Sequence, residues 1–392
     1  MPYALTRLTL AAALGLGAIS AAQAQEKVKV GLVLSLSGPA AALGVQAKNG
    51  FELAMKDLGG KLGGREAELF VVDDELKPDV AVTKVKALVD RDKVDFVVGP
   101  IFSNVLGAIV KPVTDSKTFL ISPNAGSSAL AGKGCSPYYF STSYQNDQVH
   151  QVSGKVAQDR AYKKLYLIAP NYQAGKDAMA GFKRDYKGEV AEESYVPLNT
   201  LDFQSELSKI ASMKPDAVYA FLPGGMGVNF IKQYRQAGLA DRVPVLSAFT
   251  VDESTLPAQG EAALGMFSGS NWAPDLDTPQ NKKFVQGYLA AYNAVPATYA
   301  FQAYDAALLI DAAVKATAGK TDDKDALRTA LMKADFTSLR GAFKFSPNGY
   351  PVQDFYLTKV GRRPDGKFET QIVQKIFSNY ADPYAKDCAT TN

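Results

Sequence analysis

The feature that most constrains the fold is a regular alternation of short apolar runs and amphipathic segments with brief connections. The apolar run Val28–Leu34 precedes a helical pattern over Gly44–Leu58, and the pairing recurs as far as Thr118–Ile121. Continuous apolar runs are typical of strands buried on both faces, and intervening helices are typical of parallel crossovers. The alternation restarts after about residue 145, with Lys164–Ala169 as the next strand. The sequence therefore predicts an α/β protein with two doubly wound parallel sheets.

Residues 1–24 have the composition of a secretion signal rather than of a folded element. Arg7 is followed by an apolar run from Leu8 to Ile19, and Ala22-Gln23-Ala24 forms a small-residue cleavage site. The apolar run is shorter than the roughly 18 residues that a membrane span needs. We expect cleavage after Ala24 and a periplasmic product. The remaining chain is long enough for two domains.

Composition excludes several classes of function. The formal net charge is +3 and the basic residues are scattered, so neither nucleic acid nor a membrane surface is an expected partner. His150 is the only histidine, which excludes metal sites built on several histidines and leaves one possible base for a Ser-His-Asp centre. We interpret His150 as a surface or helix-capping residue, and Asp73-Asp74-Glu75 as loop and cap residues. We expect no metal, no cofactor and no catalytic residues.

The two cysteines are predicted to form a disulfide. Cys135 and Cys388 are the only cysteines of the chain, and a secreted protein reaches an oxidising compartment. A disulfide is therefore favoured over two buried free thiols. It would tie the C-terminal tail to the loop at Lys133–Pro137.

Loops rich in glycine, proline and hydroxyl side chains follow the predicted strands and precede helices. They lie at Ser37–Ala40, Gly99–Ser103 and Ile121–Ser128. The ligand of an open parallel sheet binds at this position, outside the carboxyl ends of the strands. Ser103 begins a predicted helix, where its hydroxyl can cap the helix or bind an anion beside the free amides. The loops thus predict capture of a small anion.

The order of these three loops along a secreted α/β chain resembles that in the periplasmic branched-chain amino-acid-binding proteins. These proteins are the solute receptors of ABC importers. The resemblance covers essentially all of the chain after the signal segment. It implies closure of two lobes around the ligand and membrane permease subunits as partners. Each lobe would be discontinuous and joined to the other by three hinge strands. The implied ranges are 26–144 and 272–346 for lobe one, 145–271 and 347–392 for lobe two, and 143–146, 269–273 and 344–350 for the hinge.

The resemblance also implies which residues contact the ligand. The Ser103 hydroxyl and the backbone of 124–128 would hold a carboxylate. Gly126 stands where the family carries a threonine, so that hydroxyl would come from Ser127 or from elsewhere. Lobe two would cover the rest of the ligand with aromatic side chains. The expected contacts are Leu43, Phe102, Ser103, Asn124, Ala125, Gly126, Ser127, Tyr172, Phe221, Gly224, Phe249, Tyr299 and Phe301.

The residue at position 249 indicates the ligand class. In our register Phe249 lies where the amino-acid receptors of this family carry a glutamate for the ligand's ammonium group. A buried ammonium without an anionic partner is costly. We therefore expect an aromatic acid of the benzoate, hydroxybenzoate or phenylpropenoate type. A register slip would bring Asp252 or Glu253 into the pocket and favour a branched-chain or other aliphatic amino acid.

Two further alternatives stay open. Amides, urea-like solutes and short aliphatic acids would also suit a small pocket. A secreted hydrolase could use the same cleft, with His150 or a carboxylate as its base.

Overall fold

The computed structural model describes residues 26–389, which form two sheets flanked by helices. The predicted secretion signal lies outside these residues. In residues 26–389, no helix is long and apolar enough to cross a membrane.

The first sheet has six strands in the order β2-β3-β1-β4-β5-β6, and every neighbouring pair is parallel except β2 with β3. Its central strands are buried on both faces because helices cover both sides. The strands are β1 Val28–Leu34, β2 Lys61–Leu62, β3 Arg65–Asp73, β4 Phe96–Val98, β5 Phe119–Ser122 and β6 Tyr139–Ser141.

The second sheet has the order β12-β13-β11-β10-β9-β7-β8, with β14 paired to β13. Strands β7 to β11 are parallel, whereas β13 runs antiparallel to β11 and forms a long hairpin with β14. The strands are β7 Lys164–Pro170, β8 Glu189–Val196, β9 Ala217–Ala220, β10 Val245–Ser247, β11 Phe267–Ser270, β12 Lys344–Phe345, β13 Pro351–Arg362 and β14 Phe368–Tyr380.

Helices follow most of the strands as far as β10, and after β11 three helices occur in succession. They are α1 Ala41–Asp57, α2 Pro78–Lys86, α3 Ser103–Asp115, α4 Asn146–Asp159, α5 Gln173–Asp185, α6 Gln204–Met213, α7 Gly225–Gln236, α8 Leu256–Gln259, α9 Pro279–Tyr292, α10 Thr298–Ala316 and α11 Lys324–Lys333.

Helices α9 to α11 return to the first sheet, where α10 packs along α1. Gly50 permits this approach, because a Cβ atom there would lie 2.0 Å from the carbonyl oxygen of Ala300. The chain therefore passes between the sheets three times: after β6, after β11 and between α11 and β13. We call the first sheet with α1–α3 and α9–α11 lobe one, and the second sheet with α4–α8 lobe two. The residue boundaries inferred from the sequence stay a prediction.

The two-sheet α/β architecture predicted from the sequence is confirmed. The predicted disulfide is also present, with the Cα atoms of Cys135 and Cys388 5.7 Å apart. The last two strands are longer than predicted. The strands expected at Phe355–Lys359 and Gln371–Phe377 extend to 12 and 13 residues, because each pairs with the other along the hairpin.

Candidate ligand-binding site

A narrow cavity lies between the lobes, just past the carboxyl ends of strands from both sheets. Its walls come from the segments after β1, β4, β5, β6, β7, β9 and β10, and from the start of α10. This is the position at which open parallel sheets place ligands. Nine of the residues expected from the sequence line it: Leu43, Phe102, Ser103, Asn124, Ala125, Tyr172, Phe221, Phe249 and Tyr299.

Two of the expected residues, Gly126 and Ser127, are engaged elsewhere. The Gly126 amide donates to Oδ1 of Asn146 at 3.0 Å, so it is not free for a ligand in this arrangement. The Ser127 hydroxyl accepts from the Ala129 amide at 3.3 Å and begins a short turn. The structure therefore does not place a Ser127 hydroxyl where the family carries its threonine.

Gly224 and Phe301 also lie outside the cavity wall. Gly224 has φ of +63° and caps α7, and a Cβ atom there would lie 3.2 Å from the carbonyl oxygen of Pro39 in the opposite lobe. It thus marks a contact between lobes. Phe301 stacks on Trp272, with ring centroids 4.9 Å apart, and belongs to the core of lobe one. Its position two residues after Tyr299 on a helix turns it away from the cavity.

Ser103 is the first residue of α3, and its side chain is 3 % exposed. No side chain caps this helix, so the amides of its first turn and the positive end of its dipole are available to an anion. The Ser103 Oγ atom accepts from Nδ2 of Asn146 at 3.2 Å. Within residues 26–389 its own proton has no assigned acceptor, so the hydroxyl can donate to a ligand.

Asn146 connects three segments around the cavity and was not among the residues expected from the sequence. Besides its bonds to Gly126 and Ser103, its Nδ2 atom donates to Oδ2 of Asp177 at 2.8 Å. It occupies the first turn of α4, which a reciprocal capping pair between Gln145 and Gln148 holds in place. That capping pattern was the available signal that an ordered helix begins here.

Asp177 joins the two lobes. It lies on α5 in lobe two, is 4 % exposed, and accepts from the Ser128 amide at 3.1 Å and the Ser128 hydroxyl at 2.6 Å in lobe one. The contact of Gly224 with Pro39 also spans the lobes. The structure is therefore a closed arrangement, and its cavity is shielded from solvent.

Aromatic rings form much of the wall. Tyr172 and Phe221 face each other with centroids 6.4 Å apart and planes 19° apart, and Phe249 stacks on Tyr144 at 5.2 Å. Phe249 has φ of +57°, a conformation that costs free energy for a residue with a bulky side chain. Thr250 holds the loop there by donating to the carbonyl of Ala220 at 2.8 Å. The surrounding structure thus fixes the Phe249 ring in the cavity.

His150 lies in the cavity wall, so its interpretation as a surface or capping residue was wrong. It is 1 % exposed, and one turn of α4 separates it from Asn146. Burial lowers the pKa of His150 to about 3, so the ring is neutral. The other lining residues missing from the sequence-based set are Ile101, Tyr144, Ala174 and Pro223. Each of these is within two residues of an expected contact or of Asn146.

The acidic residues near the loop after β10 do not line the cavity. Asp252 lies behind Tyr299, whose hydroxyl is 3.4 Å from its Oδ2 atom. Glu253 accepts from the amide and the hydroxyl of Thr370, both at 2.7 Å. Phe249, rather than either acid, reaches the wall. Among residues 26–389, therefore, no charged side chain lines the cavity.

Replacing Glu253 with glutamine is expected to flatten the pH dependence of the free energy of unfolding. Burial, with a contribution from Asp252, raises the Glu253 pKa from 4.5 to about 8. The folded chain therefore keeps a proton that the unfolded chain releases, and the stability of the unaltered protein falls as pH rises through this window. The expected contribution is up to about 1.4 kcal/mol per pH unit.

Urea unfolding at a series of pH values measures this slope. Glutamine keeps the Oε1 acceptor for Thr370, so the Glu253→Gln variant should fold. Glu66→Gln is the matched control because that glutamate is exposed, and it should keep the slope of the unaltered protein. Equal slopes for Glu253→Gln and the unaltered protein would contradict the prediction.

Comparison with known proteins accounts for this architecture. Residues 27–367 match the family described as periplasmic binding protein. The chain belongs to the periplasmic binding protein family. It is a periplasmic solute-binding protein of an ABC transporter, and its partners are a small-molecule ligand and membrane permease subunits.

Two solved family members and one sequence relative are close to this protein. A solute-binding protein of an ABC transporter from R. palustris, in complex with benzoate, is 36% identical, with a TM-score of 0.87 over 92% of this chain and 99% of that one. Another, from Rhodopseudomonas palustris BisB5 in complex with 3,4-dihydroxy benzoic acid, is 31% identical, with a TM-score of 0.84 over 91% and 99%. Leu/Ile/Val-binding protein homolog 6 of Brucella melitensis is 33% identical over 94% of this chain and 96% of its own length.

Proposed function

We propose that this protein captures a small aromatic carboxylic acid in the periplasm and presents it, in the closed form, to the permease of its importer. One observation carries the proposal. The cavity wall combines aromatic rings with neutral hydrogen-bond donors and has no charged lining residue among residues 26–389. Such a wall accommodates one buried negative charge on an apolar body.

The carboxylate end of the ligand would lie at Ser103. Its hydroxyl proton, the first amides of α3 and the helix dipole all favour an anion there. Removal of water on closure strengthens these hydrogen bonds, because the local dielectric constant falls. Asn146 keeps the Ser103 oxygen oriented by donating to it.

The remainder of the ligand would lie among the rings of Tyr172, Phe221 and Phe249. An α-amino acid would bring an ammonium group to this region. Asp252 and Glu253, the acids near the loop after β10, do not line the cavity and are bonded to Tyr299 and Thr370. An unpaired buried ammonium is costly, whereas a planar aromatic ring gains favourable contacts with the wall.

The relatives support both ligand classes to different degrees. The R. palustris neighbours were solved with benzoate and with 3,4-dihydroxy benzoic acid, which favours an aromatic acid here. The name of the Brucella relative, a homologue of Leu/Ile/Val-binding proteins, favours the amino-acid alternative. We choose the aromatic acid because Phe249, rather than an acidic residue, lines the cavity.

The hydrolase alternative lacks an assembled catalytic pair. Ser103 and His150 both line the cavity, but Ser103 bonds with Asn146, and His150 bonds with Tyr219 through Nδ1. A serine nucleophile needs a base within hydrogen-bond reach and a group that orients that base. Within residues 26–389 no hydrogen bond joins Ser103 to His150.

A thermal-shift screen of residues 25–392 tests the proposal. One panel holds benzoate, hydroxybenzoates and phenylpropenoic acids, and the other holds leucine, isoleucine, valine and related amino acids. A ligand at 100 times its Kd stabilises the folded state by about 2.7 kcal/mol, which gives a clear rise in Tm. We expect a response to the aromatic acids. A response to the amino acids alone would overturn the proposal.

Replacing Ser103 with alanine is expected to weaken binding of the best aromatic acid by about 1–3 kcal/mol, because a buried carboxylate loses a hydrogen bond. Titration calorimetry measures the change in Kd. Ser127→Ala is the matched control, since that hydroxyl is equally buried but faces the Ala129 amide. Equal Kd values for Ser103→Ala and the unaltered protein would remove Ser103 from the site.

A further inference from the structure

We propose that His150 determines specificity within the cavity by donating a hydrogen bond from Nε2 to an oxygen on the ligand ring, opposite the carboxylate. The preferred ligands would then be ring-hydroxylated benzoates rather than benzoate itself. This inference rests on the proposed function and names the substrate class of the same site.

The first step is the position of the imidazole. His150 lies against Phe221 and Phe249, with centroid distances of 4.8 Å and 6.2 Å, and it lines the cavity. Its Nδ1 atom is 2.5 Å from the hydroxyl oxygen of Tyr219. In the part of the chain that the structure describes, Nε2 has no assigned partner. One polar atom of the cavity wall therefore remains for a ligand.

The second step is the tautomer. Tyr219 is fully buried, and burial holds its pKa well above the usual value, so the phenol keeps its proton. Among residues 26–389, His150 Nδ1 is the only assigned partner of that hydroxyl. An unpaired buried donor is costly, so Tyr219 donates to Nδ1. Because the ring is neutral, its proton is on Nε2, and His150 presents a donor to the cavity.

The third step is the separation along the helix. Asn146, which contacts Ser103, and His150 are four residues apart on α4 and share one face. One helical turn advances about 5.4 Å, which is comparable to the length of a benzene ring. A ring with its carboxylate at Ser103 would thus extend toward His150. A hydroxyl at position 4 of that ring is the substituent that reaches Nε2.

This arrangement discriminates between related acids. Benzoate would leave the buried Nε2–H donor without an acceptor, whereas the oxygen of 4-hydroxybenzoate would accept from it. Sites that hydrogen-bond a substituent reject analogues that lack it, because the buried donor is then unpaired. We expect 4-hydroxybenzoate to bind roughly 10-fold tighter than benzoate.

The first experiment is nitrogen NMR of the full chain. The sequence has one histidine, so the ring signals need no further assignment. The ¹⁵N shifts should show the neutral form protonated at Nε2 throughout the neutral pH range. Signals of the form protonated at Nδ1 would overturn the inference, because Nε2 would then be an acceptor.

The second experiment measures the Kd of 4-hydroxybenzoate and of benzoate for three variants. In His150→Leu the ratio of the two Kd values should fall to about one, because the donor that distinguishes the two acids is gone. Tyr219→Phe frees Nδ1, allows both tautomers and should reduce the preference as well. Tyr234→Phe is the control, since that buried hydroxyl donates to the carbonyl of Val243. The preference of this variant for the hydroxylated acid should not change.

Each other outcome has a distinct meaning. An unchanged preference in both His150→Leu and Tyr219→Phe would overturn the inference. Equal weakening of both acids in His150→Leu would also overturn it, since His150 would then bind the carboxylate. If the unaltered protein binds neither acid, the proposed function itself fails. If His150→Leu does not fold, the Tyr219→Phe variant and the NMR signals still test the role of His150.

Discussion

Replacing Arg340 with methionine is expected to lower the free energy of unfolding by about 3–5 kcal/mol, the range for breaking a buried ion pair. The Arg340 side chain is 6% exposed, and its Nη2 atom is 3.2 Å from Oδ2 of Asp305, which is fully buried. The same nitrogen donates to the carbonyl oxygen of Thr142 at 2.9 Å, and Nη1 donates to Gln353. The guanidinium thus joins the segment after β6 to β13, two of the places where the chain passes between the lobes.

Urea unfolding followed by circular dichroism measures the loss. The methionine variant leaves the Asp305 carboxylate buried without its cation, and burial already raises the pKa of Asp305. Adding Asp305→Asn to Arg340→Met should therefore recover part of the stability, because the remaining partner is neutral. A double variant as unstable as the sum of the two single variants would contradict the assignment of an ion pair.

Replacing both Cys135 and Cys388 with serine is expected to cost about 2–5 kcal/mol of stability. The disulfide closes a loop across a sequence separation of 253 residues, so it strongly restricts the unfolded chain. It also anchors the segment after β14 to the loop before β6. Thermal unfolding should show a lower Tm for the double-serine variant than for the oxidised protein.

A reductant supplies the control for this prediction. Dithiothreitol should lower the Tm of the unaltered protein toward that of the double-serine variant, and it should leave the variant unchanged. If the oxidised protein and the variant unfold at the same temperature, the disulfide contributes nothing measurable to stability.

The family alone does not decide the ligand, because relatives of similar identity are named for amino acids or were solved with aromatic acids. Under the proposed function, the residue that distinguishes these classes is on the loop after β10. Phe249 is held there in a left-handed backbone conformation, and the two acids that follow it serve other contacts. Under the proposed function, ligand class therefore depends on this short, strained loop rather than on the shared architecture.

Much of the architecture could be predicted from periodicity. Glu189–Val196 and Thr298–Ala316 have the bounds expected from the sequence, because each element is long enough, at 8 and 19 residues, to be recognised. Strand β6 was missed because three residues carry too little periodicity. The loops after β1, β4 and β5 could be located because parallel sheets place their ligand sites there. Those after β7, β9 and β10 were implied by the family resemblance.

The sequence by itself determined the two-sheet architecture and the disulfide, since these depend on local patterns and on chemistry that few residues can supply. The family resemblance, rather than a local pattern, implied most of the residues that line the cavity. Only the tertiary structure decided how the polar groups pair. Asn146 is placed between Gly126, Ser103 and Asp177 by the closure of two distant segments. His150 is buried within lobe two, where it lies against Tyr219, Phe221 and Phe249. Such contacts depend on which distant segments meet in three dimensions, and no local pattern encodes that.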